Sequence, residues 1–332
     1  MKKIFLAVLL TGLFVFTLTG CKKYNESNLK NDLNNDLKSI KSYHIKGDLE
    51  IYNGDNVYKY KVETSKNKDK YRVSLINKSN NHEQIILKND DGVYVLTPAL
   101  NKSFKFQSSW PENSSQIYLI ESIINDINKD EKMKMITNSD GYVVETKLAY
   151  SNNKNLVKEK IYFDKNLNIK RVEIYDDDNK LQMKMRFNEV DKRASFTNKY
   201  FDVKENIKVN ENETETTMSQ IDDTIYPMYL PSGTYLASEE SVSKEDGKRV
   251  ILTFQGESPF ILVQETISIK DELENVPVSG EPEFVTDTIG AVSGSSISFI
   301  SNGVEYYLSS DNLTEQEMLQ VAESISPITV MK

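Results

Sequence analysis

Tyr43-His44-Ile45-Lys46-Gly47-Asp48-Leu49-Glu50-Ile51-Tyr52 carries an apolar or small residue at every second position, and after Asn53-Gly54-Asp55-Asn56 the alternation resumes at Tyr58, Tyr60 and Val62. Period two with one wet face is the pattern of a half-buried strand, and the Asn/Gly/Asp run between the two segments predicts a hairpin. The same pattern recurs outward along the chain. Tyr71, Val73 and Leu75 alternate, then Ile85 and Leu87, then Val93 and Val95 behind Asp90-Asp91-Gly92, then Phe104 and Phe106. A second series covers 133–136, 142–146, 157–163, 169–175 and 181–187, where Leu181, Met183, Met185 and Phe187 share one face. Two stripes have helical spacing instead: Leu29, Leu33, Leu37 and Ile40, and Ile117, Ile120, Ile123, Ile124 and Ile127. The polar end of Trp110-Pro111-Glu112-Asn113-Ser114-Ser115 is expected to cap the second helix. Roughly eleven antiparallel strands are more than a flat sheet holds comfortably. The expectation is therefore a mainly β (α+β) fold, a curled sheet or half-barrel enclosing helices. Phe104, Phe106, Trp110, Met183, Met185 and Phe187 are its candidate cavity-lining residues.

The amino terminus has its own grammar. Met1-Lys2-Lys3 precedes an uncharged, mostly apolar run from Ile4 to Thr17, and Leu18-Thr19-Gly20-Cys21 ends it. A basic start, a short apolar stretch and a small residue before the cut are the parts of an export signal. The run is shorter than the roughly 20 apolar residues of a spanning helix. Leu-Thr-Gly-Cys resembles the lipobox of bacterial lipoproteins, whose cysteine thiol receives a diacylglyceryl group. Cys21 is the only cysteine of 332 residues, so it is the candidate lipidation site and the expected mature N-terminus. Two or more acyl chains such as palmitate anchor a protein stably where one binds marginally. The protein is thus expected at the extracytoplasmic face of a membrane, with residues 1–20 as signal peptide and 21–28 as tether. A mature chain without further cysteine also excludes disulfides, CxxC redox chemistry and thiolate metal sites.

Composition then divides what remains. Of 31 Asn, 28 fall in residues 1–212. Residues 213–332 carry five Lys/Arg against 21 Asp/Glu, a net of −16, and the rest of the chain is +7. The changeover lies in the polar run around 209–217, so a linker is expected over 206–222 between a domain at 29–205 and a module at 223–332. In that module, strands are expected at 235–237, 249–256, 259–265, 290–292, 296–300 and 303–308. Leu313-Thr314-Glu315-Gln316-Glu317 reads as a capping box that starts a terminal helix on Met318, Leu319, Val321, Ala322 and Ile325.

The run Gln84-Ile85-Ile86-Leu87-Lys88-Asn89-Asp90-Asp91-Gly92-Val93-Tyr94-Val95, continuing through Phe104-Lys105-Phe106-Gln107 to Trp110-Pro111-Glu112-Asn113-Ser114-Ser115-Gln116, resembles the sporulation and germination lipoproteins of endospore-forming bacteria. Their main domain is similar to the LolA/LolB outer-membrane lipoprotein carriers. The resemblance covers about 27–205 and implies a LolA-like incomplete antiparallel barrel of eleven strands with a helical lid over an apolar cavity. It also implies a place in the spore envelope. The module at 223–332 is similar to a small one found after LolA-like domains in exported Firmicute proteins, which implies no activity.

No enzyme is expected. GxSxG, Walker A, HExxH and GxGxxG are missing from the sequence, and His44 and His82 lack partners at telling spacings. Both are expected to be solvated. Asp176-Asp177-Asp178 and Asp271-Glu272 read as solvated turns. No cofactor, metal or nucleic-acid partner is expected. Two classes stay open. One is a non-enzymatic lipoprotein scaffold, for which the resemblance implies a peptidoglycan hydrolase partner such as a cortex amidase. The other is a carrier that takes an acyl chain in the half-barrel.

Overall fold

The computed structural model describes residues 24–111, 116–148, 155–197, 199–208, 224–244, 247–269 and 272–325. The expected signal peptide, Cys21 and most of the expected linker lie outside these residues.

The opening hairpin forms as the alternation dictates. β1 (Ser42–Asn53) pairs with β2 (Asn56–Asn67) from Ser42↔Asn67 to Asn53↔Asn56, and Gly54 at φ 58° supplies the left-handed turn residue. Antiparallel neighbours continue through β3 (Lys70–Asn77), β4 (Glu83–Asn89), β5 (Gly92–Thr97) and β6 (Lys102–Phe106). On the other side of β1 lies β11 (Leu181–Asp191), followed outward by β10 (Ile169–Asp176), β9 (Leu156–Asp164), β8 (Gly141–Lys147) and β7 (Lys134–Thr137). The two expected strand series thus meet at β1–β11. Their register shifts at Lys46/Gly47, where a Cβ on Gly47 would stand 2.2 Å from the Arg186 carbonyl oxygen. A glycine lets the two backbones close at that bulge. The sheet remains open, with β7 at one edge.

Two helices pack against the inner face. α1 (Glu26–Ser39) is capped by Asn25 and buries Leu29 and Leu33; α2 (Ile120–Lys129) buries Ile120, Ile123, Ile124 and Ile127. Asn34 and Asn128 exchange amide hydrogen bonds between them at 3.0 and 2.8 Å. α1 takes in Glu26, Ser27 and Asn28, so the helix reaches into the expected tether. The second helix begins at Ile120 with no side-chain cap; residues 112–115, expected to supply one, lie outside the described residues.

The outer face is less wet than its alternation suggests. Phe196, Tyr200, Phe201 and Ile207 fold back over Ile85, Leu87, Tyr94 and Leu96 and form a second apolar layer there. That layer explains why Ile85, Ile86 and Leu87 are all buried in succession. It also corrects the reading of His44, which is half-buried, bonded to Ser65 at 2.9 Å and set edge-on to Phe196.

The C-terminal residues build a seven-stranded sheet: β12 (Thr234–Lys244), β13 (Gly247–Gly256), β14 (Phe260–Thr266), β16 (Glu281–Val285), β17 (Thr288–Val292), β18 (Ser296–Ser301) and β19 (Val304–Ser309), in the order β12-β13-β14-β19-β18-β17-β16. Helix α3 (Glu315–Glu323) packs on one face, with Thr314 and Glu317 forming both bonds of the expected capping box. β15 (Glu274–Val278) and β16 were not expected, because glutamates and prolines interrupt both. β15 leaves its own sheet. It adds in parallel to β6, from Glu274↔Lys102 to Val278↔Phe106, as the twelfth strand of the first sheet. A proline is tolerated in such an outermost strand, where one side needs no ladder bonds.

The two parts consequently share a core. Ile267, Ile289, Ala291 and Ile300 belong to the apolar cluster of the half-barrel, and the Phe284 and Tyr60 rings pack with centroids 5.9 Å apart. Gln84 accepts hydrogen bonds from Thr288 Oγ1 at 2.8 Å and the Ile289 N–H at 2.7 Å, and donates to the Ile289 carbonyl at 3.2 Å. Lys102, 5 % exposed, pairs with Glu305 at 2.5 Å and lies 3.8 Å from Glu274.

Candidate functional site

The residues proposed to line a cavity separate into two sets. Phe104, Phe106, Trp110 and Met185 are packed in the core at 2, 3, 0 and 0 % exposure. Trp110 stands edge-on to Tyr71 at 5.8 Å. Phe187 borders a void of only about 20 Å³ together with Leu33, Ile120 and Ile124. Side chains of α1 and α2 thus occupy the trough of the half-barrel. Phe187 also borders an open groove of about 620 Å³ with Tyr142, Tyr162, Phe163 and Arg171, and Met183 reaches a separate space.

That space is a cavity of about 370 Å³ where the half-barrel meets the C-terminal module. Its barrel wall comes from the ends of elements: Ile51 to Asn53 closing β1, Leu156 opening β9, the turn at 176–178 and Met183. Gln116, Ile117 and Tyr118, just ahead of α2, form its floor, and Tyr118 is buried with its hydroxyl donating to Gln116. Burial holds the Tyr118 phenol well above its ordinary pKa. The opposite wall belongs to the module: Glu283 and Phe284 of β16, and Gln316, Leu319, Gln320 and Glu323 of α3. Burial pushes the Glu323 carboxyl up to about 7. Sequence reasoning missed Glu323, although one signal was present. It lies four residues after Leu319, on the side of the helix whose spacing reads as apolar.

A second buried acid sits away from this cavity. Glu159 of β9 is 1 % exposed, and its carboxyl is held well above the carboxylate range by burial and by the charge of Asp126 on α2. Among the described residues no cluster of three or more His, Cys, Asp or Glu has metal-binding geometry, and no helix is long and apolar enough to cross a membrane.

Residues 1–201 match the family described as sporulation protein YdcC-like. The chain is also 38 % identical over 323 residues to sporulation protein YdcC of Bacillus subtilis (strain 168), covering 96 % of both chains. The chain belongs to the YdcC-like sporulation protein family. Among solved structures it is similar to a LolA superfamily protein of Nitrosomonas europaea, at 12 % identity and a TM-score of 0.29, over 53 % of this chain and 98 % of that one. It is likewise similar to a structure of the CwlD amidase of Clostridioides difficile in complex with the GerS lipoprotein. That match has 16 % identity and a TM-score of 0.28, over 53 % of this chain and 97 % of that one. The chain is thus a homologue of a sporulation protein. Its architecture is the mainly β, unclosed one expected from its alternating strands.

Proposed function

We propose that this protein is a membrane-anchored, non-catalytic lipoprotein of the sporulating cell that acts by holding a partner protein, a cortex peptidoglycan amidase. The single observation that carries the choice between scaffold and carrier is the filled trough. An acyl carrier needs open apolar space between sheet and lid, whereas here Leu29, Leu33, Ile120, Ile123, Ile124 and Ile127 occupy it and leave about 20 Å³ between Leu33, Ile120, Ile124 and the sheet. Contact with a partner then falls to the outside. Among the described residues β12 is an unpaired sheet edge with exposed Tyr235, Leu236 and Val242, the kind of edge to which another chain can add a strand. Family membership supports the sporulation setting, and the 84–116 run supports the amidase as partner. The lipobox supports anchoring at Cys21 on the extracytoplasmic face.

Affinity capture from sporulating cells, with the tagged protein solubilised from membranes, tests the reading. Recovery of a wall amidase, lost when Leu236 and Val242 are both changed to Lys, is the expected result. Absence of any wall hydrolase, together with acyl lipid co-purifying in stoichiometric amount, would put the carrier in its place.

A further inference from the structure

The cavity between the half-barrel and α3 has walls of one charge sign. Glu323 comes from α3, Glu283 from β16, and Asp176, Asp177 and Asp178 from the turn after β10, while no Lys, Arg or His lines it among the described residues. Some of this acid is already engaged: Asp176 accepts from the Lys180 N–H and the Gln182 amide, Asp178 pairs with Lys180, and Glu283 has an interaction of its own. Glu323 differs from these. Burial alone raises its carboxyl, and among the described residues no neighbouring cation draws it back down. Beside the acids, Ile117, Met183, Phe284 and Leu319 supply apolar surface.

We propose that this cavity is a binding site for a small amphipathic amine, with the ammonium group held at Glu323 and Glu283 and the aliphatic body against Met183, Phe284 and Leu319. The volume, about 370 Å³, suits a ligand of small-molecule size. A carboxylate or phosphate would set a further negative charge against an already acidic wall. An ammonium instead supplies the opposite charge through charge-assisted hydrogen bonds, about twice as strong as neutral ones. Because the amine favours the ionised form of Glu323, its binding releases a proton near neutral pH and weakens as pH falls below about 7. This site does not depend on the amidase reading, since it faces inward between the modules and away from the β12 edge.

Isothermal titration of the full-length protein with octylamine and with octanoate tests the proposal, because the two share a chain and differ in charge. Saturable 1:1 binding of octylamine at pH 8, at least about tenfold tighter than octanoate, is the expected result. Glu323→Gln should weaken octylamine about tenfold with the melting temperature retained, and Asp311→Asn, which removes an exposed acid of the same module, should leave it unchanged. Octanoate binding as tightly as octylamine overturns the proposal. So does the absence of saturable octylamine binding, or an equal loss in the Asp311→Asn protein.

Discussion

Replacing Lys102 by Met removes one charge and keeps most of the side chain's volume, at the point where the two modules are joined by ions. The Lys102 side chain is 7 % exposed and its ammonium lies 2.5 Å from Glu305 of β19, whose own side chain is 24 % exposed. Breaking a buried pair by removing one partner costs about 3–5 kcal/mol, because the other charge stays behind without compensation. Glu305 can be partly rehydrated, which lowers the expected cost to about 2–3 kcal/mol. With an unfolding entropy of about 2.1 cal/mol/K per residue, a cooperative unit of roughly 300 residues loses about 1.6 °C per kcal/mol, so Tm should fall by about 3–5 °C. Glu305→Gln should cost a similar amount. The double variant should cost less than the sum of the two, with a coupling of about 1.5–3 kcal/mol. Urea denaturation followed by tryptophan fluorescence reads all four proteins, since Trp110 is the only tryptophan and lies in the core of the half-barrel. A coupling under about 0.5 kcal/mol would refute the reasoning. So would a Lys102→Met protein in which the C-terminal module melts separately while the fluorescence transition stays in place.

Trp110→Ala empties a fully buried site against Tyr71 and should cost about 3–5 kcal/mol, read as a lower urea midpoint; a loss under about 1 kcal/mol would contradict its core position. The folded state raises the Glu159 pKa above the unfolded value of about 4.3, so it binds the extra proton between those values and its stability declines as pH rises through that window. Glu159→Gln should therefore stabilise the protein at pH 8, by on the order of 1–3 kcal/mol, and have little effect at pH 4, which paired thermal melts would show. Proteolysis in the polar run at 209–217, beyond the buried Ile207, should nick the chain, yet the two fragments should co-elute in gel filtration because β15 and the shared core hold them together.

Strand positions in the half-barrel were legible because each buries one face and each turn announces itself, as at 53–56 and 90–92. The capping box at Thr314 and Glu317 was equally plain, because its two bonds are local. What sequence could not supply was long-range. Nothing in Glu274-Asn275-Val276-Pro277-Val278 signals a parallel partner more than 170 residues upstream, and its proline argues against a strand at all. The candidate cavity was hidden for the same reason. Its walls are the ends of β1, β9 and β16 and one side of α3, brought together by the docking of one module on the other. Of the six aromatic and methionine residues singled out, only Met183 reaches it, because strand spacing reports which face is buried and does not report whether that face is packed or hollow.

A non-catalytic lipoprotein that holds a cortex amidase should leave its mark on the spore wall, and the muropeptide profile of spores lacking it tests that role most directly. The expected cortex is depleted of muramic acid residues freed of their stem peptides, and is restored by the native gene but not by a Cys21→Ala form. A cortex of unchanged muropeptide composition in the deletion strain would contradict the role.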